Sequence, residues 1–226
     1  MIYPQRCDLS PDGRIFCYFT LKKHADWPAS NAYLAMSRLP WLTALAAWGV
    51  GSTWTRGAHF VSDRSVWEWG DPDVGDAGPC REKYGLAHIR PGTFAVERRR
   101  GWTETADTPP RRADDMWDEH RQVALEKPSP TEPGHALRVS GWYAAHRALE
   151  PERFSPPAYA LDGGSGRRGL DGVWWADWSP GGDLLIATED GRLQRRSPDG
   201  ATVRWEHDLS ALVPDPTPPP ADAARW

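Results

Sequence analysis

Three carboxylates within six residues, Asp71, Asp73 and Asp76, are oxygen donors of the kind a calcium loop places at alternating positions. Pro72 limits how such a loop could wrap an ion, so the stretch reads as a solvated turn and no metal is expected. A second acidic run, Asp114, Asp115, Asp118 and Glu119, ends on His120. His120 as a general base, oriented by Asp118 or Glu119, would make an acid–base pair. Adjacent residues rarely converge on one substrate atom, and the run reads as a charged face. Residues 163–169, Gly-Gly-Ser-Gly-Arg-Arg-Gly, lack the Lys of a phosphate cradle, and Arg167 stands where a Gly-x-Ser-x-Gly turn needs its last glycine. A flexible loop is expected there. Arg98, Arg99 and Arg100 beside Trp102 could pair phosphate charge with a stacking ring. The cluster is short, and 27 basic against 31 acidic residues leave a net charge of −4, which argues against a nucleic-acid partner.

Cys7, Cys17 and Cys80 are an odd, small set with no Cys-x-x-Cys spacing. Cys7 and Cys17 flank a turn and could be cross-strand neighbours, but buried thiols are the expected state. No spacing implies a cofactor.

The elements that must position these residues are legible in the composition. Fourteen tryptophans suit half-buried β surfaces better than helices. With 22 Pro and 21 Gly in 226 residues, long helices have little room and turns are many. The length fits one compact domain or two small ones. The longest nearly apolar stretch, residues 39–51, falls short of the roughly 20 residues that cross a bilayer. Residues 1–8 show no apolar segment behind a basic start. A cytoplasmic protein without a membrane partner is expected.

One turn recurs. Ser10-Pro11-Asp12-Gly13, Ser179-Pro180-Gly181-Gly182 and Ser197-Pro198-Asp199-Gly200 each lead into a short apolar segment. Pro presets φ, Asp accepts a local backbone bond, and Gly takes the positive φ that reverses the chain. Toward the C-terminus this predicts a four-stranded antiparallel meander: Val173–Trp178, Asp183–Thr188, Arg192–Arg196 and Thr202–Glu206. Earlier strands are expected at Tyr33–Met36, His59–Val61, Val66–Trp69, Thr93–Arg99, Gly101–Glu104, Arg121–Glu126 and Ala136–Ser140. Thr43–Trp48 reads as a strand or a short helix. Residues 70–92 read as a long loop, Arg111–Arg121 as a polar stretch that could form one helix, and 214–226 as a proline-rich tail beyond a single domain over 1–213.

Trp175-Ala176-Asp177-Trp178-Ser179-Pro180-Gly181-Gly182, followed by Asp190-Gly191-Arg192-Leu193, resembles the repeats of TolB-like and WD-repeat β-propellers, and Leu9–Tyr18 resembles the same unit. The chain also resembles a group of uncharacterised bacterial proteins built on such turns. The resemblance covers about 20 residues near the start and 35 near the end; the Gly-His and Trp-Asp dipeptides of WD repeats are missing. It implies an all-β, propeller-like array of antiparallel meanders, about five blades and possibly incomplete, with a Trp-rich core. A β-sandwich is the alternative. A non-catalytic scaffold binding another protein is the leading expectation, with Trp54, Trp102, Asp177 and Arg99 as candidate binding residues. Asp177 is also expected to accept bonds from turn amides or an Arg. Exposed faces of Trp27, Trp54 and Trp102 could instead stack on a sugar. Fold analogy alone allows a hydrolase or lyase with His59, Asp63, His146 and Asp177 at the propeller mouth.

Overall fold

The computed structural model describes residues 2, 6–21, 31–50, 57–62, 65–68, 71–76, 78–88, 95–108, 123–141, 158–164, 166–213 and 217–225. Among the described residues the structure is mostly antiparallel β, 53% strand and 6% helix, so the all-β expectation stands. The chain divides into two compact units, Met1–Arg99 with Pro216–Trp226, and Arg100–Asp215.

In the first unit the strands are β1 (Asp8–Leu9), β2 (Ile15–Leu21), β3 (Ala32–Arg38), β4 (Ala44–Gly49), β5 (Ala58–Ser62), β6 (Ser65–Glu68), β7 (Asp71–Asp76) and β8 (Gly85–His88). Two short helices, α1 (Gly78–Lys83) and α2 (Ala95–Arg99), accompany them. One sheet runs β1-β2-β3-β4-β7, and β5-β6-β8 form another in which β6 and β8 are parallel. β2 buries Cys17, Tyr18, Phe19 and Thr20 in succession, as a strand covered on both faces must. Trp48, Phe19, Leu34 and Met36 share a core with Phe60 and Val66 of the smaller sheet and with Cys80 and Tyr84. The Cys80 thiol donates to the Met36 sulfur at 3.2 Å, and all three cysteines are free thiols. Burial pushes the Cys7 thiol up to about 12. Beyond the proline run, Ala223 is buried and the Arg38 guanidinium donates to the Arg225 carbonyl at 2.7 Å, so residues of the tail belong to this unit.

The second unit contains β9 (Thr103–Glu104), β10 (Val123–Pro128), β11 (Ala136–Gly141), β12 (Ala158–Gly163), β13 (Gly166–Gly169), β14 (Val173–Trp178), β15 (Leu184–Thr188), β16 (Arg192–Arg196) and β17 (Val203–Asp208). Its sheets run β13-β12-β11-β10-β9 and β14-β15-β16-β17, so every hydrogen-bonded neighbour is also a neighbour in sequence. Period-two alternation sends Val123, Leu125, Leu137, Val139, Tyr159 and Leu161 into the core. Ala176, Trp178, Leu184 and Ile186 do the same for the last sheet. The Trp178 indole N–H donates to the Lys127 carbonyl at 3.1 Å, joining the two.

The recurrent turn has one bonding scheme. In the first copy Ser10 Oγ donates to Asp12 Oδ1 (2.6 Å) and accepts from the Ile15 amide (2.9 Å), while the Gly13 amide donates to the Ser10 carbonyl (2.7 Å). In the third, Ser197, Asp199, Thr202 and Gly200 repeat those bonds at 2.5, 2.9 and 2.7 Å. The second copy lacks the Asp and is one residue shorter, its Ser179 Oγ accepting from Asp183 at 3.0 Å. A fourth, with Thr in place of Ser, links Thr188, Asp190 and Gly191.

Several expectations need correction. Residues 70–92 hold β7, α1 and β8 rather than one long loop; backbone pairing of Ala47 with Asp76 recruits β7 despite its poor strand composition. The expected strand over Thr93–Arg99 is α2, with Glu97 in its first turn and Arg98 and Arg99 in its last, the charge order a helix favours. Thr43–Trp48 resolves to the strand β4. The expected flexible loop at 163–169 is a hairpin, β12–β13, pinned by Arg167 Nε on Asp162 Oδ1 at 2.9 Å. Four separate open sheets are described where about five blades were expected.

Candidate functional site

Of the four candidate binding residues, Trp54 lies outside the described residues. Trp102 is buried, 3% exposed, with its ring edge-on to Tyr159 at 6.4 Å, and therefore offers no broad open face for stacking. Arg99, on α2, donates at 2.5 Å to Asp8, whose buried carboxylate also accepts the Phe60 and Leu9 amides at 3.0 and 2.9 Å. Asp177 is buried and accepts from Lys127 Nζ at 2.6 Å and from the Trp178 amide at 2.7 Å. A backbone amide was an expected partner; the cation is Lys rather than Arg. Among the hydrolase candidates His59 is buried in the first unit, Asp177 sits in the second, and Asp63 and His146 lie outside the described residues, as do Trp27 and the acidic run ending at His120. The backbone of Asp71–Asp76 is a strand rather than a turn. Among the described residues no three His, Cys, Asp or Glu side chains converge as a metal site requires.

An ionic network crosses one face of the β9–β13 sheet. Arg138 commits Nε to Asp162 (2.5 Å), one terminal nitrogen to Asp107 (2.8 Å) and the other to Glu126 (2.8 Å). Burial alone would raise the Asp162 pKa, but hydrogen bonds from Arg167 and Arg138 outweigh it and hold the carboxyl below its ordinary value. A cavity of about 300 Å³ opens here over Ala124, Ser140 and Ala160, with Asp107, Arg138 and Arg167 on its walls. Its best-placed cation, Arg138, is fully engaged by carboxylates, so the charges serve the sheet first.

The last sheet differs. Register places Asp177, Leu185, Arg195 and Trp205 in one cross-strand row, and Trp175, Ala187, Leu193 and His207 in the next. Cross-strand partners share a face. This face is opposite the buried one, and it grows more open toward the edge: Leu193 is 40% exposed and Trp205 52%. The Trp205 ring stacks on His207, centroids 6.0 Å apart and 11° between planes. Buried Asp183 accepts from Arg195, which shares the Trp205 row, and from Arg204, tying β16 and β17 to the start of β15. Arg192 bonds Glu206 at 2.9 Å, and that bond, with the nearby Asp208 and Asp190 carboxylates, raises its pKa further. All six residues of β17 are exposed. Trp205 was within reach of sequence reasoning, because it follows a recognised turn inside an expected strand; what was missing was that no further strand covers it among the described residues.

No protein-family model, no curated protein and no solved structure matches the chain. Among the described residues no helix is long and apolar enough to cross a membrane.

Proposed function

We propose that the protein is a non-catalytic β scaffold, propeller-like in its meandering sheets, that binds another protein through its last sheet. The observation that carries this reading is where open apolar surface collects. Among the described residues nine large apolar side chains are exposed, and six of them, Trp174, Leu193, Val203, Trp205, Leu212 and Val213, lie between residues 174 and 213. Scattered single exposures need no explanation, but Leu193 and Trp205 lie in neighbouring rows on one face of this sheet, and exposed apolar side chains gathered on one face mark an interaction surface. Trp205 at the edge with Arg195 in the same cross-strand row is the residue mix favoured at interface hot spots. The candidate acids and bases placed by the structure are engaged in packing, which supports a binding role over catalysis.

The test is cross-linking capture from the native host with wild type and Trp205→Asp in parallel. An interaction module loses its captured partner on substitution while its circular dichroism stays unchanged. Equal capture by both proteins refutes the reading.

A further inference from the structure

We infer that the folded chain carries a site of spontaneous backbone modification at Asp171–Gly172, where the peptide link isomerises to an isoaspartyl link with water as the co-reactant. Five Asp-Gly pairs occur in the sequence: Asp12–Gly13, Asp162–Gly163, Asp171–Gly172, Asp190–Gly191 and Asp199–Gly200. Glycine after aspartate suits this chemistry, because no Cβ hinders the approach of its amide nitrogen to the side-chain carboxyl. Sequence alone does not rank the five; their bonding does.

Three pairs sit in the hydroxyl–aspartate turns, where both reacting groups are engaged. The Gly13, Gly191 and Gly200 amides donate to the Ser10, Thr188 and Ser197 carbonyls at 2.7, 3.2 and 2.7 Å. The carboxylates of Asp12, Asp190 and Asp199 accept from the hydroxyls of those same residues at 2.6, 2.5 and 2.5 Å. Those hydroxyl bonds hold the three carboxyls below their usual range, in the charged form that is a poor electrophile. In the fourth pair Arg138 and Arg167 hold the Asp162 carboxylate with charge-assisted bonds at 2.5 and 2.9 Å.

Asp171–Gly172 has neither restraint. The two are the central residues of the turn between β13 and β14, which the Val173 amide closes on the Leu170 carbonyl at 3.4 Å. Both are exposed, while Leu170 and Val173 on either side are buried. Among the described residues no group accepts from the Gly172 amide and none donates to the Asp171 carboxylate. Nothing lies within 4 Å of where a Cβ on Gly172 would stand, which leaves room for a ring to close.

The reaction balances. The Gly172 nitrogen bonds to Asp171 Cγ, the Cγ–OH bond of the protonated carboxyl breaks, and the amide proton leaves with the hydroxyl as water, closing a cyclic imide. Water then adds to either imide carbonyl. Cleavage of the bond from nitrogen to Cγ restores aspartate. Cleavage at the original peptide carbonyl leaves the chain running through Cγ, with a free α-carboxylate beside it. Nothing is oxidised or reduced, and the β13–β14 connection gains one backbone carbon.

The experiment incubates the folded full chain in heavy-oxygen water at neutral pH. Digestion with trypsin and chymotrypsin together then places the five Asp-Gly pairs on separate peptides for mass spectrometry. Imide hydrolysis leaves one heavy oxygen in the product. The Asp171 peptide is expected to gain that mass ahead of the other four, with its isoaspartyl form appearing as a second chromatographic peak. In chain unfolded by urea all five peptides are expected to gain it, since the bonds that separate them are gone. Asp171→Glu, whose longer side chain closes a less favourable ring, is expected to lose the gain at this position while the folded chain keeps its circular dichroism. Equal gain at all five pairs of the folded chain, or gain led by any of the other four, overturns the assignment. So does an Asp171 peptide that stays at its starting mass in the folded chain.

Discussion

Lys127 touches Asp177 with its ammonium, at 2.6 Å, and accepts the neighbouring Trp178 indole N–H with its carbonyl, at 3.1 Å. One residue of β10 thus holds the charge and the ring of adjacent residues on β14. Lys127→Met removes the ammonium and leaves the Asp177 carboxylate buried, with the Trp178 amide as its named remaining donor. Breaking one half of such a pair costs about 3 kcal/mol, whereas removing both halves costs less. Denaturant unfolding of Lys127→Met, Asp177→Leu and the double variant checks this: the double variant should be more stable than additivity of the singles allows. Strict additivity would show that the pair does not couple the strands.

Trp178 and Trp205 separate structure from binding. Trp178 is 6% exposed and Trp205 52%. Trp178→Ala empties part of the core and should lower stability by about 3–5 kcal/mol. Trp205→Ala removes a ring that largely faces water, and its cost should stay within about 0.5 kcal/mol. Thermal melts of the two variants decide the matter, and a large drop for Trp205→Ala would mean the ring is structural.

The C-terminal meander was readable because local chemistry and tertiary demand coincide there. Hydroxyl, Pro, Asp and Gly fix the reversal at Ser197–Gly200, and the apolar residues beyond it pair with a strand only a few positions away. β7 was not readable, since Asp-Pro-Asp-Val-Gly-Asp has neither alternation nor β propensity and its pairing with β4 spans some thirty residues. The residues 163–169 misled for the opposite reason: glycines suggested a loop, whereas Arg167 and Asp162 make a cross-strand ion pair that holds a hairpin. Burial was harder still. Trp102 and Trp205 look alike in sequence, each near a turn and beside basic residues, and only the packing of Tyr159 against one of them distinguishes core from surface.

Gly182 tests how closely the turn before β15 is packed. Its φ is +83°, and a Cβ built there would lie 1.9 Å from Thr131 Oγ1. Gly182→Ala therefore meets two penalties, a left-handed backbone that costs about 1–2 kcal/mol for an L side chain and a collision with Thr131. At Gly13, φ is +70° and nothing lies within 4 Å, so Gly13→Ala carries only the first. Chemical denaturation should rank Gly182→Ala well below Gly13→Ala, and adding Thr131→Gly should recover part of the difference. Equal losses at the two glycines would mean that the β10–β11 loop does not contact this turn.

The serine–aspartate turns predict a specific response to acid. In Asp12 and Asp199 the hydroxyls of Ser10 and Ser197, followed by the Arg14 and Ala201 amides, hold the carboxyl below its usual range. An unfolded Asp titrates near about 3.9, so the folded turns favour the charged form. Their contribution is complete above the unfolded value and disappears as pH falls through the lower folded value. Both carboxylates are exposed, which keeps the effect small and places it entirely on the acid side. The double variant Asp12→Asn, Asp199→Asn should melt below wild type at neutral pH, and the gap should close as the pH drops below that of an ordinary carboxyl. A gap that stays constant down to the acid limit would show that the carboxylate charge does not contribute to these turns and that shape alone sets them.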